Sequence, residues 1–228
     1  EIANDYGVPL VVDNTLASPA NCQPLDLGVD YVIHSTTKFL SGSNDHAGGA
    51  ILVKKPEDAL ILENFLKSWE LTISPLEAEI LWARMQDFKE RMERFNTNGT
   101  AIAHFLAAHS AVDHVYHASL SSHLSFSTAK KLLSGNGGVV SFTLKDDSEK
   151  GLRSFYDKDF SSILKAPTIG SNQTLICPYP LLTHYFDTDA ELEEIKLPRH
   201  LIRVAAGCET EIDTILADLN HALKRTTQ

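Results

Sequence analysis

Two residues of this chain, an amine and a carboxylate, have types and surroundings that could do chemistry together. Lys38 closes the run Ser35-Thr36-Thr37-Lys38, which follows the apolar Tyr31-Val32-Ile33 almost directly. Hydroxyls at that place can bind phosphate oxygens, and a lysine amine can form a Schiff base with an aldehyde. Asp13 stands 25 residues earlier, at the end of Leu10-Val11-Val12 and ahead of Asn14 and Thr15. Taken singly, each has a plainer reading. Ser-Thr-Thr-Lys occurs by chance in surface turns, and an Asp before Asn-Thr commonly caps a turn.

Taken together, they meet the needs of one cofactor. Pyridoxal 5'-phosphate (PLP) requires an amine for its aldehyde, hydroxyls for its phosphate, and a carboxylate that keeps its pyridine nitrogen protonated so that the ring can accept electrons. Lys38, Ser35, Thr37 and Asp13 supply that set.

The elements that must position these residues can be read from apolar patterning. The short apolar runs at 10–12, 31–33 and 50–53 fit buried parallel strands, and polar residues follow the first two at the end where open α/β sheets bind ligands. Ser74-Pro75-Leu76-Glu77 has the features of a helix start, with a capping box and proline in the first turn. Leu81, Met85, Phe88, Met92 and Phe95 continue as an apolar stripe expected in the core. Asn96-Thr97-Asn98-Gly99 predicts a kink or break before Ile102. Strands are expected at 112–116, 138–144 and 201–205, and helices at 126–133, 150–156 and 210–223. The expected architecture is an α/β portion over 1–93 and a smaller α+β domain over 94–228.

Bulk properties exclude several classes. A formal net charge of -10 with 22% charged residues argues against wholesale nucleic-acid binding. No apolar run approaches the roughly 18 residues that span a membrane. The three cysteines, Cys22, Cys177 and Cys208, are far apart and read as reduced thiols in a cytoplasmic setting. The ten histidines lack the spacing that puts two ligands on one helix face, so no metal is expected. The chain opens at Glu1 in what reads as a helix end leading into a strand, a place where a preceding segment is expected.

Beyond these features, the motifs carry a resemblance. Val11-Val12-Asp13-Asn14-Thr15, Ser18-Pro19, Pro24-Leu25, Leu27-Gly28-Val29-Asp30 and His34-Ser35-Thr36-Thr37-Lys38-Phe39-Leu40 resemble the signature of the Cys/Met-metabolism, or transsulfuration, PLP enzymes. Gly137-Gly138-Val139-Val140-Ser141-Phe142, Thr168-Ile169-Gly170, Thr183-His184 and Arg203-Val204 follow in the family's order. The sequence departs from the family at Ala83 to Phe88, at Ser41-Gly42-Ser43, at Gln173-Thr174-Leu175, at Ala205-Ala206, and at Thr168, where serine is usual.

The resemblance implies a fold-type-I PLP-dependent transferase. Residues 1–93 would be the C-terminal part of its large, mainly parallel-sheet domain, with roughly the first two-fifths of the family's polypeptide absent. It implies Lys38 as the cofactor lysine and proton shuttle, Asp13 on the pyridine nitrogen, and Ser35 and Thr37 on the phosphate. Arg203 would bind the substrate carboxylate, with Thr168 as a hydroxyl partner of that carboxylate and of Lys38. For Arg203, set among Leu201, Ile202 and Val204, an ion pair with Glu209 or Glu211 is the alternative. The implied assembly is a homotetramer built from dimers, acting on small amino acids. Ala166-Pro167-Thr168 is similar to the plant-type cystathionine γ-synthases, which points to γ-replacement on an activated homoserine ester to give cystathionine. Cystathionine or methionine γ-lyase and O-acylhomoserine sulfhydrylase chemistry remain open, as does a non-catalytic binding subunit.

Overall fold

A computed structural model describes residues 2–226. In chain order the elements are α1 (Ile2–Asp5), β1 (Val11–Asp13), α2 (Ser18–Asn21), β2 (Tyr31–Ser35), β3 (Gly49–Val53), α3 (Pro56–Ser68), α4 (Pro75–Arg84), α5 (Phe88–Ala108), β4 (Val112–Tyr116), α6 (Phe126–Leu132), β5 (Val139–Leu144), α7 (Glu149–Tyr156), β6 (Leu164–Lys165), β7 (Leu175–Pro178), α8 (Tyr179–Thr183), α9 (Asp189–Glu194), β8 (Ile202–Ala205) and α10 (Ile212–Arg225). They form two sheets, one ordered β1-β2-β3 and the other β4-β5-β8-β7-β6.

The first sheet is mixed rather than mainly parallel. β1 runs parallel to β2, but β3 returns antiparallel, pairing Ser35 with Gly49 and Tyr31 with Val53. Residues 36–48 hold one wide turn followed by bends, with no α-helix of the kind that usually carries a parallel crossover, and the chain returns beside the strand it has just left. β1 is also not buried: Val11 is 53% exposed, because β2 alone among the described strands pairs with it.

In the second sheet β4, β5, β8 and β7 pair antiparallel, and β6 joins β7 in parallel. One face of its central strands is apolar and carries the main core. Val140, Phe142, Ile176, Ile202 and Val204 meet Ile102 and Leu106 of α5, Phe155 of α7, and Ile215, Leu219 and Leu223 of α10. The α10 residues recur at the helical period that the sequence predicts. Phe142 and Phe155 pack edge to face, with ring centroids 5.6 Å apart.

The start of α4 has the predicted capping box. Ser74 Oγ accepts from Glu77 N, and the Glu77 carboxylate accepts from Ser74 N. The break in the following helix is displaced from its predicted position. It falls at a single tight turn, Met85–Asp87, whereas α5 runs unbroken through Asn96-Thr97-Asn98-Gly99. Those residues serve packing. Asn98 Nδ2 donates to Gly207 O and Glu209 O, both at 3.0 Å. Asn96 donates to Asn21 Oδ1 at 2.8 Å and accepts from Gly137 N at 2.8 Å. A Cβ at Gly99 would lie only 2.4 Å from Gly137 O, so the helix needs glycine to approach that loop. Of the apolar stripe, Met92 and Phe95 are fully buried, Leu81 and Phe88 are half-buried, and Met85 is exposed.

Asn98 therefore ties the long helix to the segment that follows β8. The nearly isosteric Asn98→Leu leaves two carbonyls without their donor and should lower unfolding stability by about 1–3 kcal/mol. Denaturant unfolding of the natural full chain measures this, and an unchanged midpoint would show that the bonds contribute nothing.

Candidate active site

Lys38 sits in a wide turn, Thr36–Leu40, placed directly at the C-terminal end of β2. Its own φ/ψ, -87° and -124°, depart from the helical values of the turn. The turn is gripped from behind. Phe39 packs edge to face on Phe95 at 5.0 Å, in a small buried cluster with Met92. Arg91 of α5 donates from Nη1 to Phe39 O at 2.8 Å, and from Nη2 to Leu40 O at 2.9 Å and Arg84 O at 2.8 Å. Its Nε donates to Asp87 at 2.8 Å, so this buried guanidinium is paired as well as hydrogen-bonded. From the opposite side Gly170 touches the same turn. A Cβ there would meet Phe39 N at 2.6 Å and the carbonyl carbon of Lys38 at 2.7 Å, and its φ of 74° suits glycine.

That approach delivers Thr168. Lys38 Nζ donates to Thr168 Oγ1 at 2.8 Å, across 130 residues of sequence. Thr168 Oγ1 in turn donates to Asn44 Oδ1 at 2.9 Å. Burial lowers the Lys38 pKa below the ordinary lysine value, and the nearby Arg203 cation lowers it further. Lys38 thus gives up its proton more readily than a surface lysine.

Asp13 ends β1 beside β2, at the same sheet end as Ser35. Its pKa is lowered, chiefly by hydrogen bonds from Thr15, with a smaller contribution from His34; Thr15 N lies 2.9 Å from Asp13 Oδ1. The carboxylate is therefore ionised near neutrality. Ser35 N donates to Thr15 Oγ1 at 2.8 Å, which fixes the end of β2 against the loop after Asp13. Thr37 Oγ1 accepts from Gly48 N at 3.3 Å. His34, buried beneath this end, has its pKa lowered by burial, and its Nδ1 has no partner.

Arg203 lies in the middle of the second sheet, opposite Ser141 on β5 and Cys177 on β7. It forms no ion pair with Glu209 or Glu211. Glu209 is committed to Thr174, accepting from its N at 2.5 Å and its Oγ1 at 2.9 Å. Arg203 Nη2 donates to Pro167 O at 2.8 Å and Thr168 O at 3.2 Å, and the guanidinium stands 4.8 Å from the Tyr179 ring. Its Nε is buried without a partner. A cation held by carbonyls and an aromatic face keeps its charge unneutralised, which suits a carboxylate ligand.

The sequence reading names Lys38, Asp13, Ser35, Thr37, Thr168 and Arg203. The structure joins Lys38, Thr168 and Arg203 through contacts, with Asp13, Ser35 and Thr37 on the same sheet end. Asn44, Tyr179 and the holding role of Arg91 are absent from it. An Asn within a glycine-rich turn is a weak signal for the first, and no local pattern marks the other two.

An amine poised to lose its proton, an ionised carboxylate, two hydroxyls and an unneutralised guanidinium compose a donor set that fits pyridoxal phosphate and an amino-acid carboxylate. The chain belongs to the Cys/Met metabolism PLP-dependent enzyme family, which it matches over residues 1–224. It is 33% identical over 227 residues to an L-methionine gamma-lyase of Porphyromonas gingivalis, covering 98% of this chain and 56% of that protein. It is 34% identical over 228 residues to a cystathionine gamma-synthase of Mycobacterium leprae, with the same shares covered. Among solved structures, it is similar to cystathionine gamma synthase from Xanthomonas oryzae pv. oryzae in complex with aminoacrylate and cysteine. That likeness has a TM-score of 0.93 and 32% identity, covering 99% of this chain and 57% of that one. The chain thus spans a little over half the length of these relatives. Among the described residues no helix is long and apolar enough to cross a membrane.

Removing the charge of Arg203 tests the electrostatics of the site. Its cation is the second cause of the lowered Lys38 pKa, so Arg203→Met should move that pKa up, toward the ordinary lysine value. At neutral pH the fraction of neutral amine then falls. A titration of Lys38 in the natural full chain, by NMR of the labelled side chain, reads the direction; a downward or absent shift would contradict it.

Proposed function

We propose that this chain carries the cofactor lysine and the substrate-carboxylate arginine of a PLP-dependent enzyme of sulfur amino-acid metabolism. The observation that carries the proposal is the 2.8 Å contact between Lys38 Nζ and Thr168 Oγ1, beside an arginine that has no counter-ion among the described residues. When bound, PLP supplies an aldehyde for an amino group and a ring that accepts electrons from the amino acid's carbon. Lys38 would provide the amine that holds it and a base at Nζ. Asp13, ionised near neutrality, would pair with the pyridine nitrogen and favour its protonated form. Ser35 and Thr37 would hold the phosphate with their hydroxyls. Arg203 would offer its guanidinium to the substrate carboxylate, and its planar group is held steady by Pro167 O, Thr168 O and Tyr179. Thr168 sets the position of Lys38.

Within this class the proposed reaction is γ-replacement on an activated homoserine ester to give cystathionine. Its support is Ala166-Pro167-Thr168, the segment whose carbonyls hold Arg203 and whose hydroxyl holds Lys38. The same proposal assigns 1–93 to the cofactor-holding portion and 94–228 to the part that carries Thr168 and Arg203, in a homotetramer.

In the natural full chain, an O-acylhomoserine with cysteine should yield cystathionine faster than methionine or cystathionine alone is broken down. The reverse order of rates would make the protein a lyase. Lys38→Ala should lower either activity by orders of magnitude and leave the fold intact. Retained turnover in that variant would remove Lys38 from the chemistry.

A further inference from the structure

Three polar atoms form a line that ends on the reactive amine: Asn44 Oδ1, Thr168 Oγ1 and Lys38 Nζ, spaced at 2.9 and 2.8 Å. A hydroxyl has one proton to give. With that proton directed at Asn44, Thr168 can only accept from Lys38. A neutral lysine has two N–H groups and one lone pair. One N–H satisfies Thr168, and the lone pair stays unengaged. If the hydroxyl could turn, it would donate to that lone pair and occupy it. We infer that Asn44 is a positioning residue which, acting through Thr168, keeps the lone pair of Lys38 free to attack a carbonyl carbon. The inference rests on Lys38 being the cofactor amine, as proposed above.

Asn44 is firmly held for this task. Its φ is 57°, a left-handed conformation that Asn adopts more readily than most side chains. Asp45 beside it takes two hydrogen bonds from Arg84, at 2.5 and 2.8 Å. Gly42 O accepts from Asn172 N at 2.8 Å, and the His46 ring bonds the Thr36 hydroxyl at 3.1 Å. The backbone of the turn is thus pinned on both sides of Asn44, which fixes where the amide points. Its Nδ2 is buried without a partner; among the described residues the side chain's one hydrogen bond is that to Thr168.

The charged and titratable groups on the elements packed around Lys38 are Arg203 on β8, Asp13 on β1, Arg91 on α5, and His34, Asp45 and His46 at the sheet end. Arg91 is taken up by Asp87 and backbone carbonyls, and Asp45 by Arg84. Arg203 is the cation that lowers the pKa of Lys38, and it is unaltered by changes at Asn44.

The test is the pH dependence of Lys38 acetylation by acetic anhydride, read by mass spectrometry of the Lys38 peptide in the natural full chain after removal of PLP. Asn44→Leu removes the acceptor at similar volume. The freed Thr168 hydroxyl then turns to the neutral amine. The Lys38 midpoint should move down, and the labelling plateau at high pH should fall several-fold. Asn44→Asp keeps an acceptor, so the plateau should be retained while the added carboxylate moves the midpoint up. The added charge in Asn44→Asp would raise the midpoint from any nearby position, so the plateau and the Thr168→Val background discriminate: a residue that merely supports the loop would not lower the plateau through the Thr168 hydroxyl alone. In a Thr168→Val background, Asn44→Leu should have no further effect. Should Asn44→Leu not fold, Asn44→Gly suits the left-handed backbone and carries the same expectation. Equal shifts in both variants, an upward or absent shift in the acceptor-free variant, or an effect that persists without the Thr168 hydroxyl would each overturn the inference. Turnover retained by Lys38→Ala would instead sink the assignment of Lys38 itself. An inactive Lys38→Ala with an unmoved Lys38 titration in the Asn44 variants would sink only the role of Asn44.

Discussion

The hydrogen bond from Lys38 Nζ to Thr168 Oγ1 spans 130 residues of sequence at the place where chemistry is proposed. Much of the surrounding structure fixes its two ends. On the lysine side, the Phe39 ring is locked against Phe95 and the next carbonyls are clamped by Arg91. On the threonine side, Gly170 lets the loop press against the Lys38 backbone, and Arg203 holds the carbonyls of Pro167 and Thr168. A half-buried amine placed this way is tethered without being neutralised. A carboxylate in place of Thr168 would hold it more tightly and keep it protonated, which would spoil it as a nucleophile.

The electrostatics follow from that choice. Lys38 and Arg203 are two cationic groups close enough to affect one another. Among the described residues Arg203 has no acidic partner, although the chain as a whole is strongly acidic. Glu209 is nearby in sequence, but Thr174 engages its carboxylate. The site therefore holds a local positive charge on a negative protein. A phosphate and an α-carboxylate are the anions that such a place can take. Lys38 responds by a lowered pKa, whereas Arg203, always protonated, cannot. Among the described residues, Arg203 Nε, Asn44 Nδ2 and His34 Nδ1 are the buried side-chain nitrogens without a hydrogen-bond partner.

Much of the site was legible in the sequence because its residues sit in short linear motifs. Largely apolar strands end at Asp13 and at Ser35, and the amine follows within the next turn. The capping box at Ser74, the stripe of α10 and the strands around Arg203 were legible for the same reason: local periodicity and local hydrogen bonding decide them. The remainder depends on contacts distant in sequence. Asn96, Asn98 and Gly99 look like a helix break until the loops they bind are known. The direction of β3 depends on the connection after Lys38, which carries no crossover α-helix, and an apolar run such as Ala50 to Val53 does not encode direction. The burial expected of β1 needs neighbours on both sides, and β2 alone lies beside it among the described strands. Asn44 acts through Thr168, 124 residues away, and no spacing rule connects such a pair.

The central claim is that Lys38 is the amine that binds PLP, and chemical trapping tests it most directly. The natural full chain, incubated with PLP and reduced with borohydride, should carry a stable phosphopyridoxyl group. Peptide mapping should place that group on Lys38 alone, and Lys38→Ala should take up none. A label spread over surface lysines, or one that forms equally well in Lys38→Ala, would contradict the account.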